Sequence, residues 1–434
     1  MEDHCQEETM KRRDRTCGYH NPELEVMVPA RKADYQLDLV RRAAVRACGL
    51  STATRMKFAE GGVDPAAMAS LDDLSRLPLT RKRDFPAIQA ADLPFGGFNT
   101  VLPSALGHIF VSPGPIYDPE GREEDFWNLR GAFYAGGFRK GDIVQNTFAY
   151  HLTPAGLMCD QALRDLGCAV IPAGVGNTDI QVTAMRDLKV TGYVGTPSFL
   201  LTILTRAREM GLDPGTDLAL EVAYLAGEIL APSLRKSLEE EHGLHVRQGY
   251  ITADLGVVGY ECGEKSGYHI PEAIVVEILH PATGEAVAAG EPGEVVVTAC
   301  RESYPLFRFA TGDLSSLVQG RCACGRTSPR LTGILGRADE VTKVRGMFIH
   351  PGMIDQILAR GGGYRGQAVV TRKGHQDHLV LRVVPREGGD LAADLALMRE
   401  AGRQVLKLRL EVEETTAEAL GPRPKKIDDQ RVWE

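Results

Sequence analysis

The chain has 434 residues with 50 Lys and Arg against 58 Asp and Glu, a formal net charge of -8. That length calls for two or more domains, and the acidic balance, with no basic block longer than Lys11–Arg13, excludes a nucleic-acid-binding role. No window approaches the roughly 18 consecutive apolar residues of a membrane span, and MEDHCQEETMKRRDR is too polar for a secretory signal, so a soluble cytoplasmic protein is expected. Nine cysteines, an odd number, point to thiols or metal ligands before disulfides.

Residues 1–30 are charged and aperiodic and read as a polar extension, with order beginning near Asp38. From there helical and extended patterns alternate: QNTFAY is extended, Pro154 to Leu166 helical, and Cys168 to Gly174 an apolar strand. VTGYVG is a further strand. PSFLLTILTRAREMG then opens on a helix-starting Pro, keeps Leu200, Ile203, Leu204 and Ala207 on one face and closes at Gly211. The strand LALEVAYLAGE, the helix SLRKSLEEEHG and the strand LHVRQGY continue the alternation, which predicts a largely parallel sheet covered by helices.

After Gly256 strands follow one another without helices, EAIVVEIL and GEVVVTA about a PATGE turn, which predicts an antiparallel subdomain. Near Gly336 a third regime begins: a helix about Met353 to Leu358, a hairpin QAVVT/LVLRVV about RKGHQD, a helix with Leu391, Leu395, Met398 and Val405 in register, and the strand LRLEV. The expected class is α/β: a large N-terminal domain, 31–335, with mostly parallel sheets and an antiparallel subdomain over 256–335, then a small mobile α+β domain, 336–434.

Three short stretches stand out from scaffold. In QGYITADLG a strand ends at Tyr250, with Thr252 and Asp254 on the loop beyond it; an aromatic, a hydroxyl and a carboxylate there can stack a base, touch a phosphate and hold magnesium. The plainer reading is a strand end with a solvated Asp. PLFRFATGDLSSL ends in a Gly-Asp pair at Asp313, suited to both hydroxyls of a ribose, or simply an ordinary turn. GRADEVTKVRG, Gly336 to Gly346, is charged between glycines and reads as a hinge or a solvated loop.

In series, with RLPLTRKRDF, GCAVIPAG, GTPSFLLTIL and LAGE before them and MFIHPGMIDQIL after, these motifs make the chain resemble the adenylate-forming superfamily, and within it the phenylacetate-CoA ligase family, from about Asp38 to Arg431. The resemblance implies that ATP and a small carboxylic acid form an acyl-adenylate, that the small domain rotates, and that CoA sulfur then attacks the carbonyl and releases AMP. It assigns Tyr250 to adenine, Thr252 to the α-phosphate and Asp254 to catalytic magnesium, a Glu in the family. Ala226, Gly227 and Glu228 would line the adenine pocket, Asp313 and Arg337 would take the ribose, Asp339 would be the hinge, and Gly346 would leave room for the CoA arm. Phe148, Tyr150 and His151 match the aromatic acid-pocket segment loosely; a homodimer is common in the family.

Cys262 and His269 in ECGEKSGYHI, with Cys322 and Cys324 in GRCACGRT, provide three thiols and one imidazole, a donor set suited to a closed tetrahedral structural zinc site. Some members of the resembled family carry zinc at matching positions. The alternative is four unrelated reduced side chains.

The phosphate loop departs from the family. Where the family has Ser-Ser-Gly-Thr-Thr-Gly-Lys-Pro, aligning Ser112, Gly114 and Pro119 gives SPGPIYDP. Pro113 and Pro115 offer no N–H, and Asp118 stands where a positive charge is expected. At an effective dielectric of about 20, a like charge about 4 Å away would cost roughly 4 kcal/mol. At the C-terminus the family's adenylation lysine aligns with Arg423, unless Lys425 or Lys426 serves. Two readings follow: an acid-CoA ligase with altered phosphate contacts, or a relative without adenylation that binds AMP, an acyl group or CoA as a sensor or partner subunit.

Overall fold

The structure, a computed structural model, describes residues 14–112, 115–344, 347–373, 376–386, 391–422 and 424–431. Gly114, Gly346 and Arg423 lie outside the described residues, as does the side chain of Asp339.

Nine strands form one sheet in the order Leu317–Val318, Arg330–Leu331, Tyr268–His269, Gly256–Tyr260, His245–Thr252, Val222–Leu225, Gly192–Gly195, Ile143–Asn146, Ala169–Pro172. From His245–Thr252 to Ala169–Pro172 every pairing is parallel. Gly192–Gly195 and Val222–Leu225 are buried along their whole length, as expected of strands covered on both faces. The helix Pro197–Glu209 shows how the connections are made. Thr196 caps its start by accepting from the Phe199 N–H at 3.3 Å, Pro197 fits the first turn, and Leu200, Ile203, Leu204 and Ala207 are buried in a core with Tyr193, Ala223, Leu225 and Val246.

Ile143–Asn146 lies between the strands that follow it in sequence, Ala169–Pro172 and Gly192–Gly195. The chain therefore reverses direction across the sheet there, and the crevice at the carboxyl ends of such strands is where open α/β sheets bind ligands. QNTFAY does not continue as a strand past Asn146. The Asn146 side-chain oxygen accepts from the Phe148 N–H at 3.2 Å and turns the chain out of the sheet.

The strands after Gly256 divide between two sheets. Gly256–Tyr260, Tyr268–His269 and Arg330–Leu331 pair antiparallel and extend the parallel sheet. Ile274–Leu279, Gly293–Ala299 and Leu306–Ser315 order a second sheet with Thr80–Arg81, and Gly336–Arg337 pairs to Leu306–Ser315. Order also begins earlier than Asp38. The helix Pro29–Leu50 starts nine residues before it, and Arg15 and Glu25 are buried. Arg15 donates to both oxygens of buried Asp142 at 2.9 Å.

The chain forms two compact units, 1–276 with 297–309 and 318–332, and 277–296 with 310–317 and 333–434. The second contains a four-stranded sheet in which Arg365–Lys373 and Gln376–Val384 pair antiparallel, flanked in parallel by Ile427–Asp429 and Glu411–Glu414. Helices Pro351–Arg360 and Leu391–Leu406 supply Ile354, Ile357, Leu358, Met398 and Ala401 to its core. LRLEV becomes a strand only at Glu411, after Lys407 takes a positive φ of 55°. No helix of the described residues is long and apolar enough to cross a membrane.

Candidate functional site

In the first unit the expected nucleotide residues lie at the carboxyl ends of the parallel strands. Leu225 ends its strand, and Ala226 and Gly227 follow; the Ala226 N–H donates to the Gly195 carbonyl at 3.1 Å, so the two strand ends are bound together. Gly227 takes a φ of +81°, and a Cβ there would stand 3.7 Å from both Phe148 and Thr196, so acid-pocket and adenine-pocket candidates are neighbours. Glu228 accepts from the Ser198 hydroxyl at 2.9 Å and the Ser198 N–H at 3.2 Å. Tyr150 is half-buried with its hydroxyl accepting from Asn146 at 2.8 Å, whereas His151 is exposed.

Tyr250 is buried near the end of His245–Thr252, opposite Gly259, and a register shift between Tyr250 and Ile251 bends the strand end. The Thr252 hydroxyl accepts from the Leu255 N–H at 3.2 Å, closing the turn that carries Asp254. The turn needs Gly256. Its φ is +70°, and a Cβ would meet the Trp127 carbonyl at 2.5 Å.

The stretch aligned with the phosphate loop is a β-hairpin. His108–Ser112 and Ile116–Glu120 pair antiparallel from His108 opposite Glu120 to Ser112 opposite Ile116. Gln89 clasps it, donating to the Tyr117 carbonyl and accepting from the Tyr117 N–H, both at 2.8 Å. At the other end Glu120 accepts from the Trp127 indole at 2.7 Å.

Asp118, which stands where the resembled family has a positive charge, is buried. It is 2% exposed, and its carboxylate accepts from the Ser112 hydroxyl. It belongs to a group of four charges, of which only Lys82 is partly exposed: Lys82 Nζ lies 2.5 Å from Asp254 Oδ2, and Arg301 Nη1 donates to the Asp254 carbonyl at 2.7 Å. Burial, with the Asp254 charge adding to it, pushes the Asp118 carboxyl up to about 7, and burial brings Arg301 down to about 10. Among the described residues Asp254 Oδ1 and Arg301 Nε and Nη2 are buried without a hydrogen-bond partner.

The second unit pairs two other expected residues. Asp313 and Arg337 lie opposite each other in antiparallel register, with Arg337 Nη1 2.8 Å from Asp313 Oδ1. A 3-10 turn over Ala338–Glu340 follows, with Asp339 at its centre. Lys426 Nζ is ion-paired with Asp355 at 2.7 Å, while Lys425 is exposed.

The Cys and His residues come together within the first unit. Donor atoms of Cys262, His269, Cys322 and Cys324 all lie within 4.8 Å of one another. Cys262 Sγ is 3.6 Å from Cys322 Sγ, and Cys324 Sγ is 3.4 Å from His269 Nε2. A tetrahedral zinc with bonds of about 2.3 Å to sulfur and about 2.0 Å to nitrogen sets its ligands about 3.5–3.8 Å apart, so the donors fit such an ion. His269 Nδ1 lies 3.1 Å from the Ser328 hydroxyl, which turns Nε2 toward the thiols. Hydrogen bonds from Cys262 and then His269 pull the Cys324 thiol down, favouring a thiolate.

No protein-family model matches the chain. Relatives do: the phenylacetate-coenzyme A ligase of Thermus thermophilus is 30% identical over 403 residues, covering 89% of this chain and 87% of its own. The chain belongs to the phenylacetate-CoA ligase family. The phenylacetate-coenzyme A ligase of Pseudomonas putida is likewise 30% identical, over 360 residues, covering 79% of this chain and 80% of its own. Among solved structures, an open conformation of 2-hydroxyisobutyryl-CoA ligase in complex with 2-HIB-AMP and CoA superposes with a TM-score of 0.81 at 26% identity, covering 95% of this chain and 94% of that one. Apo MatB of Rhodopseudomonas palustris, at 16% identity, a TM-score of 0.55 and coverage of 75% of this chain and 68% of that one, shares the fold.

Sequence reasoning within this family missed two members of the charged group, Lys82 and Arg301, and the burial of a third, Asp118. Lys82 sits inside RLPLTRKRDF, a motif that carries the resemblance, so its position was visible though its partner was not. Asp118 was visible but taken as facing a ligand. Arg301 lies 47 residues from Asp254 and just outside PLFRFATGDLSSL, which begins at Pro305.

Proposed function

We propose that this chain is an AMP-forming acid-CoA ligase. In the first step an oxygen of the acid's carboxylate bonds to the α-phosphorus of ATP and pyrophosphate leaves. In the second, CoA sulfur bonds to the acyl carbon, the thiol proton is lost and AMP departs. Activation is needed because a carboxylate oxygen is a poor leaving group until it becomes part of a phosphate ester.

The observation that carries the reading is the strand end Tyr250–Asp254 at the carboxyl edge of the parallel sheet, with Lys82 bonded to Asp254, in a chain of this family. Tyr250 would stack on adenine, with Ala226, Gly227 and Glu228 about it; Thr252 would contact the α-phosphate. Asp313 and Arg337 would take the ribose. Phe148, Tyr150 and His151 would face the acid, and Asp339 and Gly346 would serve the hinge and the CoA arm. Of the basic residues at the end of the second unit, Lys425 is the better adenylation candidate, since Lys426 is held by Asp355.

Magnesium, when bound, neutralises phosphate charge, and Asp254 would hold it: Oδ1 is buried without a partner among the described residues. Zinc, when bound, would close the Cys262, His269, Cys322 and Cys324 cluster as a structural ion.

A second reading is favoured by the hairpin. Its Ser112 hydroxyl is committed to Asp118, and pairing runs to Ser112 and Ile116, which supports a relative that binds AMP, an acyl group or CoA without adenylating. Carboxylate-dependent ATP–pyrophosphate exchange over a panel of aryl and short-chain acids separates the two. Exchange with at least one acid is expected; no exchange with any acid, alongside measurable AMP or CoA binding, would select the second reading.

A further inference from the structure

Arg301 is 7% exposed, beyond the end of Gly293–Ala299. Its guanidinium lies over the ring of Phe126 at 4.1 Å and over Trp127 at 4.9 Å, so its plane is fixed by two aromatic faces. Nη1 donates to the main-chain carbonyl of Asp254 at 2.7 Å, while Nε and Nη2 find no partner among the described residues. A buried arginine with two unsatisfied donors is a poor choice for holding a core together, since each such donor has given up water for nothing.

We propose that Arg301 is a positioning residue for Asp254. The inference rests on the reading of Asp254 as the carboxylate that serves magnesium and phosphate. Arg301 holds the backbone of the turn on which Asp254 rides, and its charge faces the carboxylates of Asp254, Asp118 and Glu123 and the hydroxyl of Tyr304. Lys82, the other cation, reaches Asp254 from a side chain 31% exposed, so solvent or an incoming group can compete for it. Arg301 is locked in place. It is the counter-charge that stays with Asp254 whatever Lys82 does, and it fixes where the carboxylate points.

The hairpin then has a use other than cradling phosphates. It brings the buried Asp118 toward this group, and Trp127, on whose ring Arg301 lies, donates to Glu120 at the end of the hairpin.

The test is ATP–pyrophosphate exchange by the full chain, with magnesium titrated and the best acid of the panel, for wild type, Asp254→Asn, Arg301→Met and Arg301→Lys. Arg301→Met is expected to lower kcat at least tenfold, with KM for the acid within twofold, and to weaken magnesium binding to the ATP-loaded protein, read by calorimetry, at least threefold. Arg301→Lys should recover part of both losses, which a merely structural role would not predict. If Arg301→Met does not fold, Arg301→Gln is read the same way. Wild type without exchange on any acid overturns the functional reading and this inference together. Exchange abolished by Asp254→Asn, with kcat and magnesium binding both unchanged in folded Arg301→Met or Arg301→Gln, overturns this inference alone.

Discussion

Two groups of four largely buried side chains lie in the first unit, and they are built on opposite principles. The group of Cys262, His269, Cys322 and Cys324 uses three thiols and the imidazole of a strand residue, arranged so that one ion could satisfy all of them. The group of Lys82, Asp118, Asp254 and Arg301 uses hard charges from four separate stretches and leaves donors and an acceptor unsatisfied. A cluster that closes on itself stabilises; a cluster left open is kept for something it does. Removing members of each should therefore have different consequences.

The largest effect is expected at the thiol cluster. Cys322→Ser, or chelation of the wild type, should take zinc from about one equivalent to below roughly 0.2 and lower Tm by about 10 °C or more, because structural zinc contributes several kcal/mol of folding free energy. Elemental analysis with a thermal melt checks this; protein purified without chelator and holding less than about half an equivalent would remove the metal from the comparison. Next comes the pair above that cluster. Arg326 and Glu25 meet at 2.7 Å with side chains 3% and 4% exposed, and Tyr19 of the same N-terminal segment donates to the Cys324 carbonyl at 2.8 Å. Arg326→Met strands the Glu25 carboxylate and should cost about 3–5 kcal/mol in urea unfolding, with zinc lost at lower chelator concentration.

Smaller stability effects are expected at the charged group, where activity is the sensitive readout. Lys82→Met should cost about 2–3 kcal/mol while reducing exchange far more than that destabilisation explains. Asp118 contributes a pH dependence. Its folded carboxyl sits at about 7 against an ordinary value near 4, so the folded chain holds a proton that the unfolded chain releases. That contribution is full below about pH 4 and is lost as pH rises through about 7. Asp118→Asn lacks the loss, so its stability relative to wild type should rise by about 2 kcal/mol between pH 5 and pH 8; a difference flat with pH would contradict the burial described for Asp118.

The contrast also explains what could be read from the sequence. Periodicity was enough for Pro197–Glu209 and its neighbouring strands, because a helix that buries one face and strands that bury both leave regular apolar patterns. Cys-Ala-Cys was legible because soft ligands need short spacing. The burial of Asp118 was not legible because it depends on which side of a two-stranded hairpin faces inward, and pairing register is a tertiary property. Residues 14–28 look like a tail until Arg15 meets Asp142, 127 residues away, and Glu25 meets Arg326. Charges that pair over such distances leave no local trace.

The central claim is that this member of the phenylacetate-CoA ligase family activates an acid with ATP despite its hairpin. The most direct measurement incubates the full chain with ATP, magnesium, CoA and each acid of the panel, and quantifies AMP and acyl-CoA by mass spectrometry. Equimolar AMP and acyl-CoA from at least one acid, with neither product when the acid is omitted, is the predicted result. Absence of both products with every acid, from folded protein that binds AMP, would contradict it.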